Sequence, residues 1–181
     1  SVEEGTPLYS RFTDSDKYEL DQKNTFEAVI DRLKNKSYDH YEVSNFARKG
    51  RVSRHNMKYW TWQDYLGLGA ASHSFIDGRR WHKEDDYIAY SSNPIDVIYD
   101  DRSISSAMAE YVMTGLRLSE GISMEKMKKV FGEVIPSSFY ERVKSAADSG
   151  RIEFKSGDVI SAFNNIFYLN DTIYYLTEKL I

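Results

Sequence analysis

At 181 residues the chain has room for one domain or two small ones, and 41% apolar residues, 29% charged residues and 3 prolines exclude a disordered, collagen-like or low-complexity polymer. Cysteine is absent, which excludes disulfide frameworks, thiol nucleophiles, thiolate zinc sites and any iron–sulfur cluster ligated by these residues. The 24 basic and 28 acidic residues leave a net charge of −4, which disfavours wholesale binding to nucleic acid or an anionic membrane.

Along the chain, Phe26, Val29, Ile30 and Leu33 recur at helical spacing behind Asp21 as a cap, so a helix is expected over about 21 to 36. Tyr41 to Phe46 reads as one strand followed by a loop. From Val43 to Gln63 no acid occurs, while Arg48, Lys49, Arg51, Arg54 and Lys58 concentrate positive charge. Tyr65 to Gly69 is a second strand candidate, buried, running into the small-residue stretch Ala70-Ala71-Ser72-His73-Ser74. Asp77-Gly78 then predicts a tight hairpin between Ser74-Phe75-Ile76 and Arg79-Arg80-Trp81. Asp85 and Asp86 read as a solvated helix start.

Near Ser91-Ser92-Asn93-Pro94 the composition shifts toward short helices, and a domain join is expected there, giving units 1–92 and 93–181. Ile104, Met108, Tyr111 and Val112 form one helix face, with Gly121 just past the helix end; Met124, Met127, Val130 and Phe131 form the next, stopped by Gly132. After Pro136, Ser138 and Glu141 have capping-box spacing, Phe139 and Val143 supply a buried face, and Gly150 closes the helix. A hairpin over Ser156-Gly157-Asp158 and a terminal helix carrying Ile173, Leu176 and Leu180 complete an α+β chain whose last part is helical and winged-helix-like. No apolar stretch approaches the ~18 residues of a membrane span, and the acidic Ser1-Val2-Glu3-Glu4 start is unlike a signal peptide. A cytoplasmic protein without a transmembrane segment is the simplest expectation.

The densest chemistry lies in His55-Asn56-Met57-Lys58-Tyr59-Trp60, followed by Trp62 and Tyr65. Cations that pair with carboxylates, aromatic rings that line an apolar slot and an imidazole able to ligate iron suit a flat, anionic, aromatic ligand. The same residues also suit ordinary core packing, Trp60 above all. Gly67 to Ser74 has two readings as well: a backbone that approaches a ligand, or a close-packed strand exit. His40 opens a strand and His82 sits in a solvated hairpin end. No spacing among His40, His55, His73 and His82 is that of a metal-binding pair on one helix.

Four ordered blocks carry a resemblance: Val2 to Pro7, His40 to Ala47, His55 to Trp60 and Asp64 to Ser74. Together they resemble the oxygen-independent coproporphyrinogen III oxidase-like radical SAM proteins, and the HNxxYW block is similar to the HemW-type haem chaperones of that family. The resemblance implies the terminal strands and helix of a partial (β/α) radical SAM barrel, followed by the family's C-terminal domain, to which Gly115 to Gly121 is similar. It implies haem binding by His55, Asn56, Tyr59, Trp60, Arg51 and Arg54, with His55 as the metal ligand. It implies an S-adenosylmethionine-facing loop at Gly67, Gly69, Ala70, Ala71 and Ser72. The family's [4Fe-4S] cluster is held by three cysteines, which this chain lacks, so a C-terminal portion without catalysis of its own is expected. Haem or a porphyrinogen, the N-terminal half of the barrel and a second copy docking through strand edges are the implied partners. A porphyrinogen-decarboxylating oxidase is the alternative. A nucleic-acid-binding winged helix is a further one, disfavoured because acids outnumber bases from Ser91 onward.

Overall fold

The structure, a computed structural model, describes residues 15–180 together with Gly5 and Pro7. The rest of the Val2 to Pro7 block and the acidic start lie outside the described residues. Helix α1 (Ser15–Lys34) begins six residues before the expected start, so Asp21 is not its cap but lies inside it. Residues 16–20 hold no glycine or proline to stop it. The helix ends with Arg32 and Lys34 in its last turn, where cations offset the negative helix end, and Ser37 at φ 62 turns the chain away.

The expected single strand over 41–46 is instead a hairpin of β1 (Tyr38–Glu42) and β2 (Asn45–Arg48). Ser44 N–H donates to Glu42 Oε1 at 3.1 Å, and this side chain makes the turn that no glycine or asparagine pair announces. His40 therefore stands mid-strand opposite Phe46 rather than at a strand start. The outer edge of β1 is not free. Val43 N–H donates to Arg117 O and Ser119 N–H to Tyr41 O, both at 3.0 Å.

Helix α2 (Arg54–Trp60) follows. The buried strand expected at 65–69 is absent: Tyr65 alone bridges to Phe75, and Leu66 and Leu68 are 63% and 85% exposed. The ladder stops because Gly67 N–H donates to Ser74 Oγ, at 3.0 Å, in place of a carbonyl. Strands β3 (His73–Ile76) and β4 (Arg79–His82) form the hairpin that Asp77-Gly78 foretells, with φ positive at both turn residues. Helix α3 (Tyr87–Ser92) starts at Asp86, whose Oδ1 accepts from Ala89 N–H. Strand β5 (Ile98–Tyr99) then pairs with β4, so the first half's sheet extends past position 92.

The remaining elements are α4 (Ile104–Gly115), β6 (Ile122–Ser123), α5 (Met124–Phe131), α6 (Ser137–Asp148), β7 (Glu153–Phe154), β8 (Val159–Ser161) and α7 (Leu169–Thr177). Their strands form a sheet of order β6-β8-β7. The capping box does not form, because Pro136 occupies the cap position and Ser138 is already helical. Gly121 does not end α4, which stops at Gly115; it precedes β6 at φ +77, where a side chain would meet Ile160 O. Met108, Val112, Leu116, Met127, Phe139, Val143, Ile160 and Leu176 meet in one core. Before residue 100, Ala47 and Phe75 are the buried apolar residues among those described. Apolar burial drives folding, so the second half is the stable platform and the first half is draped on it.

Candidate functional site

The basic, aromatic segment is built on α2. Ser53 Oγ accepts from Asn56 N–H at 3.3 Å, satisfying an amide that the first helical turn leaves without a partner. At the other end Thr61 N–H and its hydroxyl both bond Met57 O, and Trp62, at φ 57, breaks the helix. No residue of α2 is fully buried.

One helical turn brings i and i+4 together, so His55 and Tyr59 share a face. Tyr59 Oη lies 2.8 Å from His55 Nε2, and the Tyr59 ring sits edge-on to Tyr65 at 4.5 Å between centroids. His55, Arg51 and Arg54 are exposed, and among the described residues no acid pairs with either arginine. Lys58 instead donates to Asp64 O, and Arg48 lies over the Tyr38 ring. Among the described residues no acid pairs with Arg48, Lys49 or Lys58 either, so Arg51 and Arg54 belong to a segment of five cations without acidic partners.

Trp60 is only partly exposed, and the Arg117 guanidinium lies 5.2 Å from its ring centre. It anchors α2 on the chain just beyond α4. Its Nε1 is buried without a partner.

The glycine-rich loop is tied up internally. Gly67 N–H goes to Ser74 Oγ, Ala71 N–H to Glu84 O and Ser72 N–H to Gly69 O. Ser72 Oγ also donates to Gly69 O at 2.7 Å. Gly67 is required for packing, since a Cβ there would stand 2.3 Å from His73 O.

A cleft of about 580 Å³ lies elsewhere and does not include His55. It runs between α1, β1 and the 163–168 segment, and Lys23, Lys34 and His40 are among its lining residues. His40 stacks on Phe46 at 4.2 Å, and burial lowers its pKa, partly opposed by its hydrogen bond to Val43 O and by Glu42.

His82 is not a solvated end residue: it is half-buried, with Nδ1 3.1 Å from Asp100 Oδ1. The hairpin places His73 directly opposite it. Helical spacing could not reveal this pair, but counting outward from Asp77-Gly78 does: 76 meets 79 and 73 meets 82.

No family model matches the chain. Over 133 residues the chain is 29% identical to heme chaperone HemW of Bacillus subtilis, an overlap of 70% of this chain and 35% of that protein. Over 109 residues it is 32% identical to heme chaperone HemW of Lactococcus lactis, covering 59% of this chain and 29% of that protein. Its fold is similar to that of coproporphyrinogen III oxidase HemN from Escherichia coli, a radical SAM enzyme, with a TM-score of 0.60 and 12% identity over 85% of this chain and 40% of that one. The chain spans about a third of the length of the curated relatives it matches.

Proposed function

The chain belongs to the HemN/HemW family of radical SAM proteins, and from that premise we propose that it carries the haem-handling segment of a HemW-type haem chaperone. One observation carries this reading: the HNxxYW residues fold as a single capped helix with His55 and Tyr59 paired on its exposed face. In this reading haem is the cargo and His55 Nε2 is its axial ligand. Arg51 and Arg54 pair with the propionates, and Tyr59 and Trp60 line the macrocycle. Asn56 holds the helix start through its amide. An open site suits a protein that must give its cargo up, since a ligand enclosed by protein leaves slowly.

Nε2 cannot bind iron while it is bonded to Tyr59. Tyr59 must swing off the imidazole for ligation, which makes it a latch on the free state.

The radical chemistry named for the family does not fit these residues taken alone. A four-iron cluster needs thiolates, and none of the 181 residues is cysteine. Gly67, Gly69, Ala70, Ala71 and Ser72 are read as a wall beside S-adenosylmethionine in the whole family architecture, their role here being close approach rather than amide donation.

The order α4-β6-α5-α6-β7-β8 supports reading the part after residue 92 as a winged-helix-like module serving as scaffold. The exposed Leu66, Leu68, Tyr87 and Ile88 support packing of residues 1–92 against further protein, either the rest of a barrel or a second copy. A cytoplasmic setting belongs to the same reading; among the described residues no helix is long and apolar enough to cross a membrane. The oxidase alternative is favoured by the HemN-like fold alone.

The test is haem titration of the chain and of an Arg51→Gln/Arg54→Gln variant at low and high salt. The reading predicts weaker binding by the variant at low salt and a smaller salt dependence, because exposed ion pairs are screened over about 8 Å at physiological ionic strength. Equal affinities at both salt concentrations would remove the arginines from the site.

A further inference from the structure

We propose that His73, His82 and Asp100 form a binding site for a borderline divalent metal ion of the zinc class, separate from the haem-handling helix. The three side chains offer two imidazole nitrogens and a carboxylate oxygen, and these atoms all lie within 4.8 Å of one another.

The site follows from sheet register. His73 stands opposite His82 across β3 and β4, and His82 stands opposite Ile98 on β5. Side chains alternate along strands, so position 100 returns to the face that position 98 occupies. Asp100 N–H donates to Arg80 O at 3.1 Å, which continues the β4–β5 ladder to that point. The three donors therefore share one face without any loop having to bring them together.

The spacing suits a metal. Two ligands bound at about 2.0–2.1 Å with tetrahedral angles stand roughly 3.3 Å apart. His82 Nδ1 and Asp100 Oδ1 are already 3.1 Å apart. The third donor, on His73, needs only to close in, and it belongs to an exposed residue reached from solvent, whose ring already lies against His82 at 5.3 Å between centroids.

The carboxylate is also held from behind. Arg80 Nε lies 3.1 Å from Asp100 Oδ2, Arg80 pairs with Glu110 at 2.6 Å, and Glu110 pairs with Arg102. Partners of this kind orient a ligating group. They also set the selectivity. Asp100 and Glu110 are balanced by Arg80 and Arg102, so the surroundings add no excess negative charge for a hard cation. The two imidazoles must supply the affinity, which favours zinc, cobalt or nickel over magnesium and calcium. Three protein ligands leave a position open to water or an anion.

Cobalt(II) titration followed by visible absorption, with zinc competition, tests the site in the 181-residue chain. One equivalent of cobalt should give the d–d bands of a nitrogen- and oxygen-ligated ion and be displaced by zinc. His73→Ala and His82→Ala should each weaken binding at least tenfold, with circular dichroism unchanged for the exposed His73→Ala. His55→Ala and His40→Phe, which lie outside the cluster, should bind as the unaltered chain does. Absence of saturable binding, or binding that survives His73→Ala and His82→Ala together, would overturn the proposal. Loss of binding in His55→Ala alone would overturn it as well.

Discussion

Arg117 rests its guanidinium on the face of Trp60, 5.2 Å from the ring centre, and so fastens the helix carrying His55 to the stable half of the molecule. The contact joins function to fold. Stacking of this kind stabilises by about 0.5–2 kcal/mol, and the arginine stem adds apolar packing. Arg117→Ala should lower the free energy of unfolding by about 1–2 kcal/mol in urea, and Arg117→Met, which keeps the stem, by less. Equal losses would assign the whole effect to charge.

Gly121 and Gly150 both lie at positive φ, but only Gly121 is crowded, a Cβ there standing 2.2 Å from Ile160 O. Around Gly150 nothing stands within 4 Å. Gly150→Ala should therefore cost only the left-handed backbone penalty, about 1–2 kcal/mol. Gly121→Ala should cost more than about 3 kcal/mol, because backbone must also move. Similar denaturation midpoints for the two variants would contradict the close approach of the chain before β6 to β8.

Burial holds the His40 pKa below the ordinary imidazole value of 6.5, so the unfolded chain takes up the proton first. Stability from this residue is complete above about pH 6.5 and is lost as pH falls below it, toward the lower folded pKa. His40→Phe keeps an aromatic ring against Phe46 and removes the titration. Between pH 7 and pH 5 (about the range in which imidazole titrates) the variant should lose less stability than the unaltered chain. Parallel stability curves would contradict a lowered pKa for the half-buried His40.

Amide exchange should be slowest in α4, α6 and β8, which surround Met108, Val112, Phe139 and Ile160, and faster in α2, α3 and the β3–β4 hairpin. Protection follows buried contacts. Equal protection in both halves would contradict this order and point to a cover over Leu66, Leu68, Tyr87, Ile88 and Ile95, for instance a second copy.

Features governed by local chemistry were legible in the sequence. Asp77-Gly78 specifies its hairpin because both residues accept positive φ, and Gly132 and Gly150 follow α5 and α6 where the periodic apolar faces run out. Features governed by distant partners were not. The β1–β2 turn depends on the Glu42 side chain, and β1 finds its outer partner in residues 117–119. Leu66 and Leu68 look like strand residues, but the pairing with β3 ends at Tyr65, because the Ser74 side chain takes the Gly67 N–H. At the candidate site the i, i+4 pairing of His55 with Tyr59 was implicit in the spacing, but the helix itself was not read, since its seven residues offer no apolar stripe. The His73–His82 pair was encoded in the hairpin register; Asp100 comes directly after a two-residue strand that leaves no sequence pattern.

The proposed haem handling turns on His55 Nε2 as the atom that would meet haem iron and on Tyr59 Oη, 2.8 Å away, as the group that would first have to leave it. The direct measurement is the Soret spectrum and haem affinity of the chain beside His55→Ala and Tyr59→Phe. His55→Ala should shift the Soret band and weaken binding, whereas Tyr59→Phe should keep the band position and bind more tightly, by severalfold, because loss of one hydrogen bond of about 1 kcal/mol favours the free imidazole. Identical spectra and affinities for all three proteins would show that the segment is scaffold, and would contradict haem handling by this helix.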